Sequence, residues 1–241
     1  MKQETLTLVS KRALTERVTE LVLEGVTEPM KPGQFVNLAV PGFSLRRPIS
    51  VCDCRGGQLN LVIRRQGRGT EALTAMEPGQ TADVLTGLGN GYDLTRAGEA
   101  PVLAGGGVGV PPLYYLARML RGRGLPVAVC LGFNTASEVF YEEEFRALGC
   151  DTRVATADGS YGTKGFVTAV LPEGSYFYAC GPVPMLRALT KLAMPGEMSL
   201  EARMGCGFGA CMGCSQRMAG GMRRICREGP VFRKEEILWD A

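Results

Sequence analysis

Pro101-Val102-Leu103-Ala104-Gly105-Gly106-Gly107-Val108-Gly109-Val110-Pro111-Pro112-Leu113-Tyr114-Tyr115-Leu116-Ala117-Arg118-Met119-Leu120 compresses three signals into one stretch. Val102-Leu103-Ala104 has the continuous apolar character of a short buried strand. The apolar positions 113, 116, 117 and 120 follow helical spacing, and two prolines suit a helix's first turn. Between them, Gly105, Gly107 and Gly109 occupy the strand-to-helix turn where a pyrophosphate sits on a helix N-terminus. Val110 stands where a G-x-G-x-x-G motif has its third glycine, so a plain tight turn would carry the same residues.

Downstream the alternation continues. Val127–Leu131, Thr152–Thr156 and Tyr176–Cys180 read as strands. Helices are expected from Thr135-Ala136-Ser137-Glu138, which has the Thr-x-x-Glu form of a capping box, through about Leu148, and from about Lys164 and Val183. Repeated strand–helix units imply a parallel sheet covered on both faces. Cys180-Gly181-Pro182 falls at the carboxyl end of such a strand, where ligands gather in open α/β sheets, although a buried structural thiol is the commoner fate of such a cysteine.

Upstream the texture is different. Leu6–Val9, Thr19–Leu23 and Gln58–Arg64 are short apolar or alternating runs, punctuated by Lys31-Pro32-Gly33, Val40-Pro41-Gly42 and Glu77-Pro78-Gly79. Such spacing argues for a small antiparallel barrel. Two basic patches lie in it, Arg46-Arg47-Pro48-Ile49-Ser50 and Arg64-Arg65-Gln66-Gly67-Arg68-Gly69-Thr70. Arginine forks match phosphate oxygens, and Gly69-Thr70 adds amides and a hydroxyl, so together they suit a dinucleotide pyrophosphate; solvated surface arginines would look the same. The expected division is a β-barrel over 1–97, an α/β parallel-sheet domain over 98–198 and a small module over 199–241.

That last module holds Cys206, Cys211, Cys214 and Cys226, four of the nine cysteines, in the spacing C-x4-C-x2-C-x11-C. This is the ligand pattern of a plant-type [2Fe–2S] centre. A structural zinc site also takes four cysteines but usually pairs them as CxxC…CxxC, and only one CxxC occurs here. Cys52, Cys54, Cys130 and Cys150 have no spacing signature.

Composition narrows the function classes. The chain of 241 residues is 45% hydrophobic and 21% charged, as a globular protein should be, and no apolar run approaches eighteen residues. Met1-Lys2-Gln3-Glu4-Thr5 lacks the apolar core of a signal peptide, which gives a cytoplasmic expectation, where clustered thiols stay reduced and bind metal. A net charge of +3 and the lack of any nucleic-acid motif argue against DNA or RNA. There is no histidine, which excludes a Rieske centre, a His-ligated haem and the usual catalytic triads. The composition suits an electron carrier whose substrate chemistry is done elsewhere.

With these residues assembled, the chain resembles the ferredoxin reductase-like flavoproteins, and within them the electron transfer subunits of the NAD-dependent (class 1B) dihydroorotate dehydrogenases. The resemblance is carried by Arg47-Pro48-Ile49-Ser50, Gly69-Thr70, Asp158-Gly159-Ser160, Cys180-Gly181-Pro182, Glu201-Ala202-Arg203-Met204-Gly205-Cys206-Gly207-Phe208-Gly209-Ala210-Cys211 and Cys226–Phe232. It implies FAD in the barrel, NAD(H) in the α/β domain and [2Fe–2S] at the C-terminus. Arg47, Pro48, Ile49 and Ser50 would contact the flavin, and Val62, Ile63, Arg64, Gly69 and Thr70 would continue its site. Cys180 and Gly181 would lie near the nicotinamide. It further implies a partner subunit with FMN, a heterotetramer with two copies of each subunit, and a place in pyrimidine (UMP) biosynthesis, with Phe208 and Met212 in the subunit contact. Asn134–Glu138 offers no arginine for a 2′-phosphate, which favours NAD over NADP. A flavin/iron–sulfur subunit of a ferredoxin:NADP oxidoreductase or sulfide dehydrogenase is the alternative, and a zinc-stabilised binding module is a second.

Overall fold

The computed structural model describes residues 1–239. Six strands close an antiparallel barrel: β1 (Lys2–Ala13), β2 (Val18–Glu24), β3 (Phe35–Leu38), β4 (Arg47–Arg55), β5 (Gln58–Arg64) and β6 (Thr81–Leu88), in the order β1-β2-β5-β4-β3-β6. Period-two alternation drives closure: along β6 every second residue is buried, and Leu6, Leu8, Leu21, Leu23, Leu59 and Leu61 meet fully buried inside. Helix α1 (Arg68–Thr74) follows β5.

The second sheet contains β7 (Pro101–Gly106), β8 (Ala128–Phe133), β9 (Asp151–Thr156), β10 (Thr163–Lys164), β11 (Tyr176–Cys180) and β12 (Gly196–Ser199), all parallel, in the order β10-β9-β8-β7-β11-β12. β7 and β11 are buried along their whole length, as strands covered on both faces must be. Helices α2 (Pro111–Gly122), α3 (Glu142–Ala147) and α4 (Val183–Leu189) supply the cover together with single 3-10 turns. The sheet reverses its direction of growth between β7 and β11.

Beyond β12 comes a hairpin of β13 (Ser215–Met218) and β14 (Gly221–Arg224). The chain then returns as β15 (Val231–Arg233), pairing antiparallel with β12 at the sheet's edge. The cysteine module is therefore held to the sheet at both ends. Asn90, just after the barrel, adds a third tie: its amide donates to the Val231 carbonyl at 2.7 Å and accepts from the Val231 amide at 3.1 Å.

Two helical expectations fail locally. From Lys164 the chain forms only β10 and the 3-10 turn Val167–Ala169, because Gly165 has φ 132° and Pro172 bars helix from the residue before it. The Thr135 capping box does not form. Thr135 Oγ1 lies 2.9 Å from Ser137 Oγ, the Glu138 carboxylate accepts from the Asn134 side-chain amide at 2.8 Å, and α3 starts only after Tyr141, whose φ is 68°.

Tyr141 adopts that conformation while fastened to the barrel. Its hydroxyl donates to Glu20 and accepts from the Cys52 thiol at 3.1 Å and the Asn60 amide at 3.4 Å. Arg12 completes the group, 2.8 Å from both Glu20 and Glu144. A second tie joins Arg118 on α2 to Asp53 on β4 at 2.6 Å. No helix among the described residues is long and apolar enough to cross a membrane.

Candidate functional site

The loop between β12 and β13 carries three of the four cysteines of the C-x4-C-x2-C-x11-C pattern. Its backbone is wound so that amides face sulfur: Ala210 and Cys211 donate to Cys206 Sγ at 3.3 and 3.4 Å, Cys206 to Cys211 Sγ at 3.4 Å, and Gly213 to Cys211 Sγ at 3.5 Å. Cys226, after β14, donates its own amide to Cys214 Sγ at 3.4 Å. The thiols thus form two pairs, Cys206 with Cys211 and Cys214 with Cys226. The first pair lies toward solvent and the second is buried, within the hydrophobic core that also takes in Phe35 and Leu88.

This donor set fits a two-iron cluster. Thiolate is the ligating form, and although burial opposes it, the amides of Cys211, Phe208 and Ala210 bring the Cys206 thiol down to about 6. Burial and then the neighbouring Cys214 sulfur push Cys226 up to about 12, so that thiol loses its proton on metal binding. Two pairs suit two irons taking two thiolates each.

The second part of the site is the crevice where β7 and β11 end. Cys180 stands opposite Gly105 in the register. A β-carbon on Gly109 would lie 2.2 Å from the Cys180 carbonyl oxygen, and one on Gly105 would lie 2.9 Å from Val110. Gly105 and Gly109 are therefore packing glycines. Gly107, at φ 51°, has open space above it. Gly181 closes against Met185. The Cys180 thiol is 2% exposed, and burial raises it far above its ordinary value. Ligands of open α/β sheets bind outside the carboxyl ends of the strands at the point where strand order reverses. Here that point is flanked by Gly107 and Gly181.

The third part is the barrel's rim. Pro48 and Ser50 on β4 pair with Asn37 and Phe35 on β3 and share their outward face, whereas Ile49 opposes Val36 toward the barrel core. The Arg47 guanidinium lies 5.0 Å from the Phe43 ring centre and donates to the Leu45 carbonyl at 2.5 Å. Gly69 lets α1 come against it, since a β-carbon there would be 2.2 Å from Arg47 Nε. Thr70 Oγ1 accepts from the amides of Gln66 and Gly67 at 2.9 and 3.2 Å and so shapes the turn. Arg64 is exposed at the end of β5, but Val62 and Ile63 are buried, so their side chains serve packing. The two adjacent arginines separate: Arg46 is bound to the Asp83 carboxylate at 2.7 Å and is a structural tie.

Comparison with known proteins agrees with this arrangement. Residues 201–238 match the family described as the iron-sulfur cluster binding domain of dihydroorotate dehydrogenase B. Over 254 residues the chain is 47% identical to the dihydroorotate dehydrogenase B (NAD(+)) electron transfer subunit of Bacillus caldolyticus, covering 98% of each chain. The subunit of the same name from Geobacillus kaustophilus gives the same figures. The chain belongs to the dihydroorotate dehydrogenase B electron transfer subunit family. Among solved structures it is similar to an NADH-dependent reduced ferredoxin-NADP oxidoreductase studied for flavin-based electron bifurcation, with a TM-score of 0.88, 29% identity, and 97% and 90% of the two chains covered.

For a member of this family the structure adds residues with no sequence signal. Asn37 donates to the Cys206 carbonyl at 3.0 Å, and Asn90 holds the end of the module. Tyr92 donates its hydroxyl to the Ala179 carbonyl at 3.0 Å, next to Cys180. Each bridges elements far apart in the chain, which no local pattern reveals.

Proposed function

We propose that this chain takes electrons from a catalytic partner subunit that oxidises dihydroorotate to orotate and passes them through a [2Fe–2S] centre and FAD to NAD+. The observation that carries this is the placing of the cysteine module: the Cys206 peptide is bound to Asn37 on β3 of the barrel, and Cys214 lines one cleft with Gly181 at the end of β11. When bound, FAD exchanges hydride with nicotinamide and single electrons with the iron–sulfur centre, joining two-electron to one-electron chemistry.

The residues divide the work. Cys206, Cys211, Cys214 and Cys226 hold the cluster. Arg47, Pro48, Ile49, Ser50, Arg64, Gly69 and Thr70 hold FAD, with the main chain of Val62 and Ile63 alongside. Gly105, Gly107, Gly109, Cys180 and Gly181 form the NAD(H) crevice, the first and third by permitting close approach. The division 1–97, 98–198 and 199–241 follows these three tasks, with β15 returned to the sheet. The partner carries FMN and the assembly has two copies of each subunit. Exposed Phe208 and Met212 beside the solvent-side thiols suit that contact. All nine cysteines are free, which suits a reducing cytoplasm.

A ferredoxin:NADP oxidoreductase subunit has the 0.88 TM-score behind it, but at 29% identity against 47% for the dihydroorotate dehydrogenase relatives. The test is anaerobic purification alone and with the catalytic subunit of the same organism, followed by visible spectrum and analysis of metal, flavin and nucleotide. A brown protein with two irons and one FAD per chain, supporting dihydroorotate-dependent NAD+ reduction only with its partner, is expected. One zinc without iron, or no coupling to dihydroorotate, overturns the proposal.

A further inference from the structure

We propose that Asn37 is a positioning residue for the iron–sulfur centre, fixing the Cys206 peptide to the strand pair that carries the flavin signature and raising the cluster's reduction potential. The inference rests on the iron–sulfur reading given above.

Three observations carry it. First, Asn37 lies on β3 directly opposite Pro48 on β4, on the same face of the strand pair. A side chain at 37 is therefore rigidly related to Arg47-Pro48-Ile49-Ser50. Second, its Nδ2 donates to the Cys206 carbonyl at 3.0 Å. The carbonyl can only accept, which settles the orientation of the amide. The contact needs a glycine after the cysteine: a β-carbon on Gly207, at φ 78°, would stand 2.4 Å from Nδ2.

Third, the position is chemically expensive. Asn37 is 1% exposed, so its side-chain amide is withdrawn from solvent. A buried amide needs its hydrogen bonds to offset desolvation, whereas leucine, with the same branching and the same number of side-chain heavy atoms, needs none. Phe35, two residues away on the same face of β3, is buried in hydrocarbon. What asparagine supplies and leucine lacks is the donor to Cys206. Hydrogen bonding around cluster ligands is one of the levers on potential. A donor dipole with its positive end on a ligand-bearing peptide favours the reduced, more negative cluster.

The test uses the full chain, reconstituted anaerobically with iron, sulfide and FAD, as wild type, Asn37→Asp and Asn37→Leu. FAD content, the electron paramagnetic resonance signal of the dithionite-reduced cluster and its midpoint potential are measured. Asn37→Leu is expected to keep wild-type FAD content, to shift the resonance signal and to lower the midpoint, and Asn37→Asp to lower it less, because a carboxyl buried against a carbonyl stays protonated and can still donate. Gly207→Ala, which displaces the amide while leaving residue 37 intact, should lower the midpoint in the same direction and covers the case in which a residue-37 variant fails to fold. Variants with lower thermal stability but wild-type signal and midpoint overturn the inference, since a purely structural amide would behave so. A wild-type chain with no iron–sulfur signal overturns the functional reading instead, and this inference with it.

Discussion

Gly109 and Cys180 touch main chain to main chain across the point where the parallel sheet reverses: a β-carbon at 109 would stand 2.2 Å from the Cys180 carbonyl oxygen. Backbone cannot yield as a flexible side chain does. Gly109→Ala should therefore spread β7 from β11, at a cost of about 1–3 kcal/mol typical of overpacking. The expected result is a lower melting temperature and weakened NADH binding with FAD content unchanged, measured by calorimetry and NADH titration. Unaltered NADH affinity would remove Gly109 from the crevice.

Cys214→Ser should abolish the cluster. Its thiol is buried and paired with Cys226, so the loss takes one iron's ligand set with it. Iron content and the reduced-state resonance signal should disappear while FAD stays bound. Loss of flavin from this variant would show that barrel and cysteine module are not separable.

Arg46 and Arg47 are adjacent but should behave oppositely. Arg47→Ala should weaken FAD binding by roughly tenfold or more, the scale of one charge-assisted hydrogen bond at about 1.5–3 kcal/mol. Arg46→Ala should leave FAD affinity within about twofold, because Arg46 is engaged with Asp83. Fluorescence titration of flavin separates the two.

The same pair sets a pH dependence. The Arg46 guanidinium holds the Asp83 carboxyl below its ordinary value of 3.8. A lowered carboxyl contributes stability that is present above its unfolded value and is lost as pH falls through the folded one. Asp83 is partly exposed, so the pair is worth under about 1 kcal/mol. Melting temperature should drop less between pH 6 and pH 3 in Arg46→Ala than in the wild type. Parallel curves would mean the ion pair does not form.

Tyr141→Phe should loosen the joint between barrel and sheet. It leaves the Glu20 carboxylate, only 8% exposed, with Arg12 and Asn60 but without its hydroxyl donor. A loss of about 1–3 kcal/mol is expected by urea unfolding, as for other buried polar groups deprived of a partner. The iron–sulfur signal should be untouched.

The sequence made some of these features visible because their signals are local. Barrel strands announce themselves by alternation, parallel strands by apolar runs, and the cluster by spacing alone; β5 and β11 coincide with Gln58–Arg64 and Tyr176–Cys180 as read. The helix expected from Lys164 failed where Gly165 and Pro172 outweighed apolar periodicity. At Thr135 contacts within the turn, Thr135 with Ser137 and Asn134 with Glu138, overrode a cap signal. Arg46 and Arg47 could not be told apart before folding, since the difference lies in Asp83, far along the chain. Asn37 and Asn90 carry no motif at all, because what matters is which carbonyl they reach.

The pairing of β15 with β12 has a thermodynamic consequence for metal loading. The segment from Ser199 to Val231 is a closed excursion whose two ends are neighbours in one sheet. Gathering four thiols from a free tail would carry the full entropy of closing a long loop, which grows with the logarithm of its length. Here that closure is supplied by the pairing of β12 with β15 in the sheet. Removal of the residues after Arg227 should thus weaken cluster retention although every ligand remains in the chain.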